Sequence, residues 1–64
     1  MKVRIILEQV MQEKNLTSRQ LQILSGVPSS TISDICNGSM PKLITLVKIA
    51  RGLNMDINEL FIIE

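Results

Sequence analysis

The stretch Thr17-Ser18-Arg19-Gln20-Leu21-Gln22-Ile23-Leu24-Ser25-Gly26-Val27-Pro28-Ser29-Ser30-Thr31-Ile32-Ser33-Asp34-Ile35-Cys36 reads as two short helices joined by a tight glycine turn. Thr17 and Gln20 make a capping-box pair, with a hydroxyl at the N-cap and an amide three positions on. Leu21 and Leu24 recur at helical spacing and mark the buried side of the first helix. Gly26 interrupts, because a left-handed backbone suits glycine without strain. Val27 follows, and then Pro28, whose fixed φ suits a first helical turn. Ile32 and Ile35 recur at i, i+3 and anchor the second helix. Its remaining side shows Ser29, Ser30, Thr31, Ser33 and Asp34. That face is short and polar, so it can lie close against another molecule and offer hydrogen bonds.

The flanking sequence also reads as helices. Before the pair, Val3, Ile6, Leu7, Val10 and Met11 mark one face of a segment from about Lys2 to Lys14. Asn15 is a left-handed stop, and Leu16 a hydrophobic staple just ahead of the Thr17 cap. After the pair, Asn37-Gly38 is a turn signal. A fourth helix is expected from about Lys42 to Leu53, with Leu43, Leu46, Val47, Ala50 and Leu53 as its buried stripe and Asn54 at its end. Asp56 and Glu59 form a second cap pair, opening a short fifth helix with Ile57, Leu60 and Phe61 inward. Period-2 alternation is absent, so no strand is expected. The expectation is an all-α chain of five packed helices, a single domain over residues 1–64.

Size and composition narrow the class. A 64-residue chain buries only about 60% of the surface its unfolded form exposes, which makes stability marginal. Cys36 is the only cysteine, so no disulfide helps, and a lone thiol suits a reducing cytoplasm. The core must compensate. Ten isoleucines and eight leucines against a single phenylalanine suit an aliphatic helical core. No apolar run approaches the roughly 20 residues of a membrane span. Lys2 and Arg4 mimic a signal-peptide start, but Glu8 cuts off Ile5-Ile6-Leu7 too early.

Charge is distributed unevenly. The net charge is only +1, yet all seven Lys and Arg lie in residues 1–54, while residues 55–64 carry Asp56, Glu59 and Glu64 with no base. One end of the chain suits a phosphate-bearing partner and the other does not. Ordinary solvated charge accounts for the same pattern. Enzyme chemistry has little to work with. There is no histidine, no second cysteine for a metal and no glycine-rich phosphate loop, and the serines near Asp34 lack an activating base. No cofactor, metal or small-molecule ligand is expected. Met11, Met40 and Met55 read as core filler.

Taken in order, Leu16-Thr17, Leu21, Gly26-Val27, Ser30-Thr31-Ile32-Ser33-Asp34-Ile35 and Asn37-Gly38 resemble the Cro/C1-type helix-turn-helix domain of phage repressors and related bacterial regulators. The resemblance continues through Pro41, Leu43, Thr45-Leu46, Lys48-Ile49-Ala50, Leu53, Ile57 and Glu59-Leu60, covering about residues 3 to 61. It implies a compact five-helix, lambda-repressor-like domain that binds double-stranded DNA, with the helix-turn-helix at about 17–36. The helix over 28–37 would enter the major groove. Geometry allows this: a helix is roughly 10–12 Å across and the B-DNA groove about 12 Å wide.

The resemblance also implies site residues. Base contacts would come from Ser29, Ser30 and Asp34, with Thr31 and Ser33 beside them. Asp34 can accept from cytosine N4; the competing readings are that it caps a helix end or bonds Ser30 one turn back. Phosphate contacts would come from Thr17, Ser18 and Arg19, then Asn37, Ser39 and Lys42. The competing roles are capping and turn formation for Thr17 and Asn37, and simple solvation for Arg19 and Lys42. Two departures from the family pattern stand out. Gln22 occupies a position that is often alanine, so it must bend outward or bond across the junction. The reading helix also lacks Arg, Lys, Gln or Asn before Asn37, so strong bidentate base recognition is missing. Weaker contacts, water or DNA shape would then carry specificity.

The tail Leu60-Phe61-Ile62-Ile63 is a contiguous apolar stretch. Phe61, Ile62 and Ile63 are the expected homodimer surface, since exposed apolar area marks contact sites. The competing reading folds Ile62 and Ile63 back onto the first helix. The function expected is a sequence-specific regulator, a repressor that occupies an operator. The alternative is a protein-interaction module, an antitoxin or adaptor that uses the same fold with little DNA binding.

Overall fold

A computed structural model describes residues 1–64. In chain order the elements are strand β1 (Val3–Ile5), helices α1 (Leu7–Glu13), α2 (Ser18–Ser25), α3 (Ser29–Cys36) and α4 (Leu43–Gly52), a 3₁₀ turn at Ile57–Glu59, and strand β2 (Phe61–Ile63). The core is twelve buried residues, all apolar, contributed by every helix together with Val27, Leu53 and Leu60.

The helices end where local chemistry ends them. Thr17 Oγ1 accepts from the Gln20 N–H at 3.1 Å, and the Thr17 N–H donates to Gln20 Oε1 at 2.8 Å, so the expected capping box opens α2. Gly26, at φ 77°, closes it with an N–H bond to the Gln22 carbonyl at 2.8 Å. Asn15, at φ 55°, stops α1; the Leu16 N–H reaches the Met11 carbonyl at 2.9 Å and the Asn15 N–H reaches Gln12 at 3.2 Å. That pair of bonds is a Schellman arrangement, which satisfies carbonyls a helix end leaves open. Asn54 repeats it after α4, with Met55 donating to Ala50 at 3.0 Å and Asn54 to Arg51 at 3.2 Å.

Both ends of the chain depart from the all-α, five-helix expectation. The first helix begins at Leu7, and Val3–Ile5 is a strand paired antiparallel with β2 in the register Val3↔Ile63, Arg4↔Ile62, Ile5↔Phe61. Backbone bonds extend the ladder: Lys2 N–H to Glu64 O at 2.8 Å, Glu64 N–H to Lys2 O at 2.7 Å, and Ile6 N–H to Leu60 O at 2.9 Å. Val3, Ile5, Ile62 and Ile63 are β-branched and Phe61 is aromatic, the residue types that pack well on a pleated surface. Pairing across the whole chain outweighs a local helical period that would have left Val3 on α1. The fifth helix is likewise one 3₁₀ turn, with the Asp56 N–H bonded to Glu59 Oε2 at 2.9 Å. It is short because β2 starts two residues later. The helix-turn-helix architecture holds, on four α-helices and a two-stranded sheet.

Two apolar stripes differ from the expectation at single positions. On α4 the buried residues are Leu46, Ile49 and Ala50, with Leu53 following, whereas Leu43 is 70% exposed. Leu43 is the first residue of the helix and projects past the core. On α2 Leu21 is fully buried but Leu24 is 52% exposed. The backbones of α4 and α2 approach closely at this end. A Cβ built on Gly52 would lie 2.8 Å from Ser25 Cα and 2.9 Å from the Leu24 carbonyl carbon and oxygen. Glycine at 52 therefore lets the two backbones touch, and this fixes α4 against the end of α2.

Candidate nucleic-acid interface

The α2–Gly26–α3 unit is held from inside and open outside. Leu21, Val27, Ile32 and Ile35 are buried, and these anchors come from both helices and the turn between them. Ser25 ties the turn further. Its hydroxyl donates to the Leu21 carbonyl at 2.7 Å and accepts from the Val27 N–H at 3.2 Å. With the two isoleucines inward, the serine face of α3 is left outward. Ser30, Ser33 and Asp34 are exposed, and Ser29 and Thr31 are half-buried.

Asp34 is not used locally. Its carboxylate bonds neither Ser30 nor a helix end; instead its backbone carbonyl accepts from the N–H groups of Asn37 at 3.1 Å and Ser39 at 2.9 Å. The side chain is exposed and unpaired.

Residues expected at the phosphates lie on both sides of α3. Thr17, Arg19, Asn37, Ser39 and Lys42 are exposed and Ser18 is half-buried. Thr17 Oγ1 accepts the cap bond, which leaves its O–H to donate elsewhere, and Asn37 closes α3 with its backbone N–H alone, bonded to the carbonyls of Ser33 at 3.0 Å and Asp34 at 3.1 Å. A surface groove of about 330 Å³ gathers Thr17, Ser18, Ser33 and Asn37, with Glu8 and Gln12 of α1 on its wall. Glu8 is the unfavourable neighbour for a phosphate there. Ser39 belongs to a different groove of about 400 Å³, shared with Lys2, Gly38 and Met40. Arg4 and Glu64 form the one ion pair, at 3.3 Å, so the guanidinium of Arg19 and the ammonium of Lys42 carry no protein counter-ion.

Cys36 lines both grooves, half-buried. Burial, and then the negative charge of Glu8, push its thiol above the ordinary value. A separate hollow of about 490 Å³ is lined by Arg51, Asn54, Met55, Asp56 and Glu59 and contains none of these residues.

The sequence left Gln22 with two options, and the structure takes the one across the junction. Its side-chain Oε1 accepts from the Ser29 N–H at 2.8 Å. Gln22 was absent from the expected contact residues. The signal available was Pro28, which leaves α3 with no capping side chain of its own. The tail residues Phe61, Ile62 and Ile63 form β2; Phe61 is half-buried, whereas Ile62 and Ile63 are exposed. They fold back onto the Val3–Ile5 strand, not onto a helix.

No helix is long and apolar enough to cross a membrane. No curated protein and no solved structure matches the chain. A protein-family model described as helix-turn-helix matches residues 7–60, a span that runs from the start of α1 to the buried Leu60. The chain belongs to the Cro/C1-type helix-turn-helix family of DNA-binding regulators.

Proposed function

We propose that the protein is a transcriptional repressor that occupies an operator by setting α3 into the major groove. The observation that carries this reading is the sidedness of α3: Ile32 and Ile35 are buried while Ser30, Ser33 and Asp34 are exposed. Base contacts fall to Ser29, Ser30, Thr31, Ser33 and Asp34. Phosphate contacts fall to Thr17, Ser18, Arg19, Asn37, Ser39 and Lys42. Small hydroxyls give little discrimination between bases, so DNA shape and bridging water contribute to selectivity. Two copies reading successive turns would join through the exposed edge and side chains of β2, at Phe61, Ile62 and Ile63. Each strand of a two-stranded sheet keeps one unpaired edge, which supports that role. The work takes place in a reducing cytoplasm.

Selection of bound fragments from random duplexes tests this. Enrichment of a palindrome with half-sites one helical turn apart is the expected result, with affinity falling steeply as salt rises. Failure to bind any duplex at low salt would end the reading. A second reading, as a protein-interaction module, is favoured by apolar side chains left outward on α2 and α4. Ile23 is 76% exposed and Ile44 59%. Absence of DNA binding together with tight capture of a defined protein partner would support it.

A further inference from the structure

Gln22 joins the two helices of the motif from both sides of the turn. Its backbone carbonyl accepts from the Gly26 N–H at 2.8 Å, which closes α2. Its side-chain oxygen accepts from the Ser29 N–H, also at 2.8 Å, which opens α3. A helix start leaves its first N–H groups without intrahelical partners. The usual remedy is a capping side chain at the preceding residue, but that residue is Pro28, which has no acceptor, and α3 shows no cap bond from it. The partner of an N–H must be the amide oxygen, so the orientation of the Gln22 amide is determined by chemistry. Its Nε2 bonds no protein atom and is left beside Ser29, on a helix end with no side-chain amide or cation of its own.

We infer that Gln22 is a positioning residue for base reading: it caps α3 from α2 and so sets where Ser29 and Ser30 sit relative to the supporting helix. This inference rests on the proposed DNA-binding function. The serines have short side chains, and a tilt of α3 by a few degrees would take their hydroxyls out of hydrogen-bond range of a base edge. A longer side chain would adapt to that tilt; a serine does not.

The test has two readouts. Amide hydrogen exchange needs no DNA. In Gln22→Ala the Ser29 amide should exchange roughly tenfold faster than in the parent, as a lost cap bond implies. Gln22→Glu keeps an acceptor and should retain slow exchange. The second readout compares binding to the selected duplex with binding to an unrelated one. Gln22→Ala should lower the ratio of specific to non-specific affinity by roughly tenfold, with non-specific affinity unchanged because phosphate contacts remain. A merely structural role would lower both affinities together, through loss of folded protein. Unchanged exchange at Ser29, or a parallel fall in both affinities, overturns the inference while the DNA-binding function stands. If the parent chain binds no duplex at low salt, both are overturned.

Discussion

The helix-turn-helix over Thr17–Cys36 and the sheet of β1 with β2 were built by opposite means. In the first, every determinant lies within seven residues of its partner: the Thr17–Gln20 box, the Gly26 stop, the Ser25 and Gln22 bonds, and isoleucines three apart. In the second, each bonded partner lies some sixty residues away, as with Lys2 and Glu64. Local determinants act in the unfolded chain and bias it early. Remote pairings form only after the ends have been brought together, and loop-closure entropy opposes that. The motif should therefore be the stable, legible part of the molecule, and the sheet an addition that tethers the two ends.

The largest test of that contrast is truncation inside each region. Leu21→Ala removes a fully buried side chain and should cost about 2–5 kcal/mol. In so small a domain that approaches the whole stability, so circular dichroism at 25 °C should show extensive unfolding. Ile63→Ala removes a side chain that is 61% exposed, and urea titration should show a loss well under about 1.5 kcal/mol. Equal losses would break the comparison.

Next in size is Gly52→Ala. Its Cβ would press into the backbone of Leu24 and Ser25, and backbone atoms cannot rotate away. A loss of about 1–3 kcal/mol is expected, read as a lower urea midpoint. A neutral result would mean that α4 can slide along α2 freely. The local stops come after it. Gly26→Ala should cost about 1–2 kcal/mol because position 26 has φ 77°, and Thr17→Ala about 1 kcal/mol through loss of the cap.

The smallest effects belong to the sheet and to Cys36. Arg4→Ala removes an ion pair whose side chains are 57% and 51% exposed, so thermal melts should shift by the equivalent of less than about 1 kcal/mol. The Cys36 thiol is held above its ordinary value in the folded state, first by burial and then by Glu8. The folded protein thus keeps that proton to higher pH than the unfolded chain does. Stability should be level below the ordinary thiol range and should fall as pH rises through it toward the raised value. Replacing Cys36 with Ala should flatten that alkaline limb, and the native thiol should react slowly with disulfide reagents near pH 7.

Legibility followed the same division. Caps and left-handed stops were readable at Thr17, Asn15, Gly26 and Asn54, because a residue type at a set offset performs each one. Ile32 and Ile35 were readable from spacing alone. On α4 the spacing finds Leu46, Ala50 and Leu53 but takes Leu43 in place of Ile49, because apolar residues also stand beside the stripe and the period alone does not choose among them. Spacing alone puts Leu24 inward beside Leu21, whereas the folded chain buries only Leu21 and leaves Leu24 at the surface. Gln22 was legible as a departure, though which of its two options applied depended on the place of Ser29.

The amino-acid sequence by itself determined the caps, the turn, the inward isoleucines and the outward serines of the motif. These depend on side-chain chemistry acting over one or two helical turns. Only the tertiary structure decided that Val3–Ile5 pairs with Phe61–Ile63 and that Gly52 meets the end of α2. Each of those outcomes depends on which surfaces meet after the chain has closed on itself, and local periodicity carries no record of that.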